Sequence, residues 1–375
     1  MICQIKAISL RPGWQLDGSL NMRKSFLVFS GHNDRAVVAL CRFFDQTGLP
    51  FSIVSAGRDD AIYDTVWRDR VMFDRLDKVL DVPMFQHLAE HHLVYCPTTE
   101  FINDFLLAHR PALQGHGLDI GLPDQAIYNA LTSKSQSQAL VTALCPTLRL
   151  PPLQDIKAPK APCVLKPMAN VADGRVLYPL LCRSDVELDQ ALTGLDRQAY
   201  FAQDFIVGQS HYLCAHIARD GQTASFWQTN LMQQPGGKSI VLARPGSNPG
   251  LDEAALLGGL HARGYHGPFM MEVIESNGAL YYIEINPRFW GPLQLALDVC
   301  PAILGLFAQD SGFDVRLPEA VPPDQACYAW AFGAHQPGCV VHPAAQALLP
   351  MQIEQLLYAH DVYAREDTLA WHACH

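Results

Sequence analysis

The sequence lacks the patterns that would tie its eleven cysteines to disulfide bonds or to a metal. No C-x-x-C pair occurs, the count is odd, and several cysteines lie within apolar runs. We therefore expect reduced, buried thiols in a protein of the cytoplasm. The cluster WHACH at residues 371–375 is interpreted as incidental, because chain ends are often mobile.

Long apolar runs and a surplus of positive charge are also missing. No apolar stretch reaches the roughly 18 residues of a membrane span, and residues 1–24 lack the apolar core of a signal peptide. The formal net charge of −10 argues against a sequence-independent grip on nucleic acid, which needs a basic face. We expect neither a membrane nor a nucleic acid as partner.

The first half of the chain alternates apolar strands with amphipathic helices. Strands are predicted at 26–31, 51–57 and 93–96, with helices at 35–48 and 97–110, the second capped by Thr98 or Thr99. This order predicts a parallel sheet covered by helices. The turn SGHND at 30–34 ends the first strand, where open sheets bind ligands, but a G-x-G-x-x-G fingerprint is absent.

The second half has the signals of antiparallel strands. A proline-rich stretch at 144–162 indicates a boundary, and strands follow at 163–167 and 199–208. Residues 211–230 predict two strands joined by a turn at Asp220-Gly221. Residues 268–286 predict a hairpin turning at Asn277-Gly278. At 375 residues the chain is long enough for two or three domains.

The stretch YYIEINPRFW, at 281–290, carries the chemistry. On a strand, Ile283 and Ile285 share one face and Glu284 and Asn286 share the other. A half-buried strand with a wet side is the simpler interpretation. Asn is depleted in strands, however, and an acid beside an amide suits a hard cation such as Mg²⁺.

Glu272, in the other arm of the hairpin, completes the candidate ligand set. It faces Glu284 if the connection has an odd number of residues, whereas a strict two-residue turn would separate them, and we expect the odd connection. Two carboxylates and an amide together need a cation, and Mg²⁺ commonly brings substrate phosphates. Lys134 and Lys166 are candidate phosphate ligands, although a lysine at a strand end is more often a solvated surface residue.

The order Lys134, VLKP (164–167), AQDFIVG (202–208), MEVIE (271–275) and EINPR (284–288) resembles the ATP-grasp superfamily of carboxylate–amine ligases. The resemblance covers roughly residues 25–310. Arg288 after the E-x-N is similar to the biotin-carboxylase and carbamoyl-phosphate-synthase branch. It implies an α/β fold, α+β in the ATP-grasp part, with a Rossmann-like domain followed by a two-lobed ATP-grasp domain.

The resemblance also implies roles for residues of this sequence. Lys134 and Lys166 would contact the phosphates of ATP, and Gln203, Asp204, Phe205 and Ile206 would form the adenine site. The metal ligands would be Glu272, Glu284 and Asn286, holding two Mg²⁺, with Mn²⁺ as the alternative ion. Arg288, with Lys166, would act in catalysis on the transferring phosphoryl group or the acyl phosphate.

Three positions depart from the family pattern. Many members carry an acid for the ribose hydroxyls just after the hinge glycine, where this sequence has Gln209 and Ser210. Met270 stands where the D-alanine–D-alanine-ligase type has an arginine, and a basic residue often seen near Asn230 is missing.

We accordingly predict a pre-ATP-grasp domain at 25–125, an ATP-grasp domain at 126–312 with its lid at about 145–207, and a small C-terminal module at 313–375. The expected activity is ATP-dependent ligation of a small carboxylate to an amine through an acyl phosphate, by a cytoplasmic protein that forms a homodimer. Two alternatives stay open: a carbamoyl-phosphate-synthase-like or thioester-forming enzyme, and a nucleotide-binding regulatory protein without turnover.

Overall fold

The computed structural model describes residues 24–75, 80–82, 84–85, 92–114, 117–168, 171–172 and 175–374. They divide into two compact units, one within Met1–Gly121 and Arg365–His375 and the other within Leu122–Ala364. The division into three domains, at 25–125, 126–312 and 313–375, stays a prediction. Among the described residues, no single helix has the length and apolarity to cross a membrane. The helices Leu293–Val299 and Ala302–Asp310 reach that length and apolarity only when taken together, and they meet at a bend of 99°.

The first unit is built on a four-stranded parallel sheet, as predicted. Its strands are β1 Ser25–Phe29, β2 Phe51–Ser55, β3 Val71–Asp74 and β4 Leu93–Tyr95, in the order β3-β2-β1-β4. Strand β3 was not predicted. Its helices are α1 Asp34–Thr47, α2 Glu100–Ala108, α3 Arg110–Gln114 and, near the chain end, α12 Leu369–Cys374, with 3-10 turns at Ala61–Asp64 and Val66–Arg70.

A helix cap, a glycine turn and a buried ion pair stabilise this unit. Thr99, one of the two predicted caps, accepts a hydrogen bond from the Ile102 N–H through its hydroxyl at 3.3 Å. Gly31 has φ +81°, and a Cβ there would lie 2.1 Å from the Ala56 side chain, so the turn after β1 requires glycine. Buried Arg42 pairs with Asp367 at 2.6 Å, which fastens the C-terminal residues to α1.

The second unit contains two larger sheets. A four-stranded antiparallel sheet has the order β5-β10-β6-β9, and a seven-stranded sheet has the order β15-β14-β11-β12-β13-β16, with β17 paired to β12. The strands are β5 Leu153–Gln154, β6 Cys163–Pro167, β9 Leu180–Cys182, β10 Tyr200–Asp204, β11 Gln209–Ile217, β12 Thr223–Gln233, β13 Ile240–Gly246, β14 Gly267–Ser276, β15 Ala279–Asn286, β16 Tyr328–Ala329 and β17 Val340–Val341, and β7 Val171–Ala172 pairs with β8 Arg175–Val176 separately.

Helices cover these sheets. They are α4 Gln125–Thr132, α5 Lys134–Leu144, α6 Asp185–Leu192, α7 Glu253–His261, α8 Leu293–Val299, α9 Ala302–Asp310, α10 Ala331–Ala334 and α11 Pro350–Ala359, with 3-10 turns at Pro235–Gly237 and Pro343–Ala345. The small sheet has a core of its own around Leu165, Leu188 and Ala202, whereas Leu213 and Met271 belong to the core of the large sheet. The small sheet therefore packs around a core separate from that of the large sheet.

Candidate functional site

The β14–β15 hairpin shows how Glu272 and Glu284 come to face each other. The connection is the two-residue turn Asn277-Gly278, so the expected odd connection was wrong. The pairing instead shifts between Glu272 and Val273, because Ile283 is an extra residue in β15. This β-bulge supplies the odd residue inside the strand, and Glu272 lies directly opposite Glu284.

The bulge also corrects the predicted position of Ile283. Strict alternation predicted that Ile283 and Ile285 lie on the same face of the strand. In the structure, Tyr282 and Ile285 belong to the core of the large sheet, while Ile283 lines a cavity beside Glu284. A β-bulge brings two successive side chains to one face of the sheet, which a period of two cannot anticipate.

Glu272 is held in a buried hydrogen-bond network. Its Oε1 accepts from the Ser210 hydroxyl at 2.7 Å, and the Ser210 oxygen accepts from Asn230 Nδ2 at 2.7 Å. The residue is only 6% exposed, and burial together with the facing Glu284 raises the pKa of Glu272 well above its usual range. A second negative charge in this position is therefore costly unless a cation accompanies it.

Glu284 has the opposite electrostatics. Lys134 Nζ lies 3.4 Å from its Oε2, and Asn286 Nδ2 donates to its Oε1 at 2.8 Å. Burial alone would raise the pKa of Glu284, but the charges of Lys134 and Lys166 outweigh it and hold that pKa below its usual range. Glu284 is thus the carboxylate that stays ionised in this pair.

Lys166 is anchored by the bulge itself. Its Nζ donates to the carbonyl oxygen of Ile283 at 2.9 Å, and the side chain is buried. Burial lowers the pKa of Lys166 to about 8, although the charges of Glu284 and Glu272 oppose the shift. The solvated surface lysine, which was the simpler interpretation, does not describe this residue.

Arg288 lies two residues after the last residue of β15, Asn286. Its backbone N–H donates to Asn286 O at 2.8 Å, and its Nη1 donates to Phe289 O at 3.0 Å. The side chain is half-buried, and its charge contributes to the low pKa of Glu284. It therefore belongs to the same electrostatic cluster as the two lysines.

A cavity of about 450 Å³ opens beside these charges. Its lining includes seven of the ten predicted site residues: Lys166, Gln203, Asp204, Phe205, Ile206, Glu272 and Glu284. The remaining three, Lys134, Asn286 and Arg288, reach the cluster through Glu284. Apolar side chains such as Val164, Leu181 and Ile274 line the cavity as well, so it combines an apolar part with a highly charged region.

The β10 end of the cavity holds polar groups with different partners. Gln203 is 2% exposed, and its Oε1 has no hydrogen-bond partner within the part of the chain that the structure describes. The Asp204 carboxylate already accepts from Gln154 Nε2 at 2.7 Å. The Arg183 guanidinium lies 5.9 Å from the centroid of the Phe205 ring. Gln203 is therefore the more available acceptor for a ligand amino group.

The residues present suit Mg²⁺. Glu272 and Glu284 face each other and Asn286 follows on the same strand, which gives oxygen donors of the kind a hard cation prefers. Burial and the facing Glu284 raise the pKa of Glu272, so ionisation of both carboxylates together would be favoured by a bound cation. Among the described residues, no cluster of three or more His, Cys, Asp or Glu side chains is placed to hold a metal. Two carboxylates and one amide form a small ligand set, which suits an ion that keeps waters and substrate oxygens.

Sequence reasoning missed part of the cavity wall. Val340, Val341, His342 and Gln346, far along the chain, line the cavity beside the turn residues Gly236 and Gly237. β16 and β17, from the part of the chain predicted as an appended module (313–375), extend the large sheet. The module itself stays a prediction. No local motif marks these residues, because the pairing of β17 with β12 is what brings them to the cavity.

No protein-family model matches the sequence, and no curated protein matches it. Solved structures do resemble it. One is N5-carboxyaminoimidazole ribonucleotide synthetase from Thermus thermophilus, with a TM-score of 0.57 and 18% identity over 80% of this chain and 81% of that one. An ADP complex of an N5-carboxyaminoimidazole ribonucleotide synthetase has a TM-score of 0.58 and 15% identity over 80% of both chains.

A third similar structure is the biotin carboxylase domain of Hydrogenobacter thermophilus 2-oxoglutarate carboxylase, in complex with MgADP, ADP and bicarbonate. Its TM-score is 0.57, with 15% identity over 79% of this chain and 71% of that one. At such identities the likeness shows the fold. The chain has the ATP-grasp fold, and the predicted fold class is confirmed.

Proposed function

We propose that this protein is an ATP-dependent ligase that activates a small-molecule carboxylate as an acyl phosphate and joins it to an amine, releasing ADP and phosphate. One observation carries the proposal. Glu272, Glu284 and Asn286 stand together with Lys134 and Lys166 beside a cavity that is largely apolar elsewhere. An adenine ring suits the apolar part, and a triphosphate suits the charged region.

The cofactors follow from the same arrangement. Similar proteins have been crystallised with ADP and with MgADP, which supports ATP and Mg²⁺ as the pair used here. Glu272, Glu284 and Asn286 would hold two Mg²⁺. Once bound, the metal would supply positive charge against the triphosphate and against the developing phosphoryl charge.

The protein's own residues position the reactants. Lys134 and Lys166 bind the phosphates, and the Ile283 carbonyl keeps the Lys166 ammonium at a fixed place. Gln203 accepts from the adenine amino group through its unpaired Oε1, and Phe205 and Ile206 cover the ring. Arg288 stabilises the negative oxygens that form in the transition state.

The reaction balances without a protein nucleophile. A carboxylate oxygen of the substrate attacks the γ-phosphorus, the bond to the β–γ bridging oxygen breaks, and ADP leaves. The amine nitrogen then attacks the acyl carbon, the bond between that carbon and the phosphate oxygen breaks, and inorganic phosphate leaves as the nitrogen loses its proton.

The alternatives make different demands on the site. A nucleotide-binding regulatory protein without turnover predicts the loss of metal acids or phosphate lysines, and all of those residues are present. The second candidate is a carboxylase-type enzyme that uses bicarbonate in place of the organic acid, because one similar structure contains bicarbonate with MgADP. Homodimer formation, a cytoplasmic location and the absence of nucleic-acid and membrane partners remain parts of the proposal.

The decisive experiment is ADP release measured across panels of amino acids, small carboxylic acids, amines and bicarbonate. A saturable rate that needs one acid and one amine together would support the ligase. ADP release that needs bicarbonate in place of the organic acid would support the carboxylase-type enzyme. Tight Mg-ATP binding with no turnover across the whole panel would favour the regulatory protein.

A further inference from the structure

A segment near the C-terminus forms one wall of the proposed nucleotide cavity. Strand β17, Val340–Val341, pairs antiparallel with the end of β12, and the following His342 N–H donates to Leu231 O at 2.9 Å. Val340, Val341, His342, Pro343 and Gln346 all line the cavity. The segment 340–346 is therefore part of the site and not only a cover for the large sheet.

Gln209 fastens this segment and is not available for a ligand. Its Oε1 accepts from the Ala344 N–H at 2.7 Å, and its Nε2 donates to Asn230 O at 2.7 Å. Gln209 is one of the two residues that stand where the family pattern has an acid for the ribose. Both ends of its amide are committed to the protein backbone, so the sugar needs another partner.

The neighbouring polar side chains are committed as well. Ser210 is buried and shared between Glu272 and Asn230. His342 Nε2 lies 3.2 Å from Gln233 Oε1, and Gln233 Nε2 donates to Lys238 O at 3.0 Å. These contacts fix the wall, but they leave little for sugar hydroxyls.

Gln346 is the exception on this wall. It lines the cavity, is exposed, and makes no side-chain hydrogen bond within the described part of the chain. A primary amide offers both a carbonyl acceptor and two N–H donors. Each hydroxyl of a vicinal diol can donate and accept, so one amide can serve the pair.

We propose that Gln346 binds the ribose hydroxyls of the nucleotide, so that the segment 340–346 makes this site select ribonucleotides. The inference rests on the proposed use of ATP. It replaces the acid of the family pattern with an amide from a different part of the chain. The segment would then give the protein a sugar contact that its hinge residues cannot make.

The test compares the affinities of nucleotides with different sugars in the wild type and in variants of Gln346. Dissociation constants for Mg-ATP, 2′-deoxy-ATP and 3′-deoxy-ATP are measured by calorimetry on the full chain, for wild type, Gln346→Ala and Gln346→Glu. The wild type should prefer ATP to at least one deoxy analogue by about three- to tenfold, the range of a typical hydrogen bond. Gln346→Ala should remove that preference by weakening ATP while leaving the disfavoured analogue unchanged. Gln346→Glu keeps acceptor oxygens and should retain the preference.

The control is Gln355→Ala, because Gln355 is an exposed glutamine on α11 that does not line the cavity. It should leave all three affinities unchanged. The inference is overturned if Gln346→Ala weakens ATP and both deoxy analogues equally, or weakens none of them. A wild type that binds no adenine nucleotide would instead overturn the proposed function, and this inference with it.

Discussion

Lys166 donates to the carbonyl oxygen of Ile283, the one residue that breaks the regular register of the β14–β15 hairpin. The same bulge therefore does two things. It puts Glu284 opposite Glu272, and it supplies the acceptor that places a buried ammonium beside both carboxylates. Bulges are frequent next to active sites because they re-aim side chains, and this one links the proposed metal ligands to a proposed phosphate lysine.

Deletion of Ile283 tests that link. Tyr282 would then be followed by Glu284, so the alternation that keeps Glu284 opposite Glu272 survives while the Ile283 carbonyl disappears. We expect a folded protein whose affinity for Mg-ATP falls by about tenfold, the value of a charge-assisted hydrogen bond. Calorimetry measures the affinity, and circular dichroism checks the fold.

Ile283→Val is the matched control, because it keeps the bulge and its carbonyl. It should bind Mg-ATP as the wild type does. Unchanged nucleotide affinity in the deletion variant would show that the Lys166–Ile283 contact has no part in binding.

In the β14–β15 hairpin, the sequence predicted the site residues but not the bulge that aligns them. Motif order identified Lys166, Glu272, Glu284 and Asn286, and the structure places them together. The bulge could not be foreseen, because Asn277-Gly278 predicts the turn correctly and nothing local shows where a register shift lies further along the strand. A register is set by the partner strand and the core, and neither is visible in a single segment.

The sequence likewise predicted some elements of the fold and missed others. Strong local patterns, such as the apolar strand ending at Gly31 and the helix after it, gave the parallel sheet. Strand β3 was missed, since Val71–Asp74 is short and follows 3-10 turns instead of a clear helix. Gln346 could not be identified at all, because only the long-range pairing of Val341 with Met232 brings its segment to the cavity.

Glu284→Gln should leave the fold intact and abolish ATP turnover. The amide keeps the shape but not the charge that faces Lys134 and that would balance Mg²⁺. ADP release at saturating substrates measures the effect. Glu275→Gln, an exposed neutralisation on the partner strand, is the control and should retain turnover. Full activity in Glu284→Gln would remove the basis of the proposed metal site.

Closure of the lid should be visible in hydrogen exchange. ATP must enter between the small sheet and the large one, so residues from about 145 to 207 should move together. Amide exchange of residues 168–175 should slow when Mg-ATP is added, with Mg²⁺ alone as the control. Residues 169–170 and 173–174 lie outside the described residues. Equal exchange with and without saturating nucleotide would argue against closure.

His342 should make stability depend on pH. Burial lowers the pKa of His342 to about 4, whereas an unfolded histidine titrates near 6.5. Between these values the unfolded chain binds a proton that the folded one refuses, so the free energy of unfolding should fall as pH falls from about 6.5 to 4. This histidine contributes at most about 1.4 kcal/mol per pH unit.

Urea unfolding at several pH values measures that slope. His342→Gln should flatten it, and His335→Gln, which removes a histidine outside the buried core, should not. Part of the slope should remain in His342→Gln, because burial also lowers the pKa of His211 and His216. Identical slopes in the wild type and His342→Gln would contradict the prediction.

Arg288→Lys separates binding from catalysis. The guanidinium stands two residues after Asn286, a proposed metal ligand, and within the field of Glu284. Its planar donors can bind a pair of phosphoryl oxygens, which an ammonium cannot match. If it acts mainly in the transition state, kcat should fall by on the order of 10²-fold while Mg-ATP affinity changes little. Turnover and affinity are measured on the same preparation, with Arg263→Lys, on the surface after α7, as the control. Equal losses in both quantities would make Arg288 a ground-state binding residue, and no loss in either would leave it without a role in the reaction.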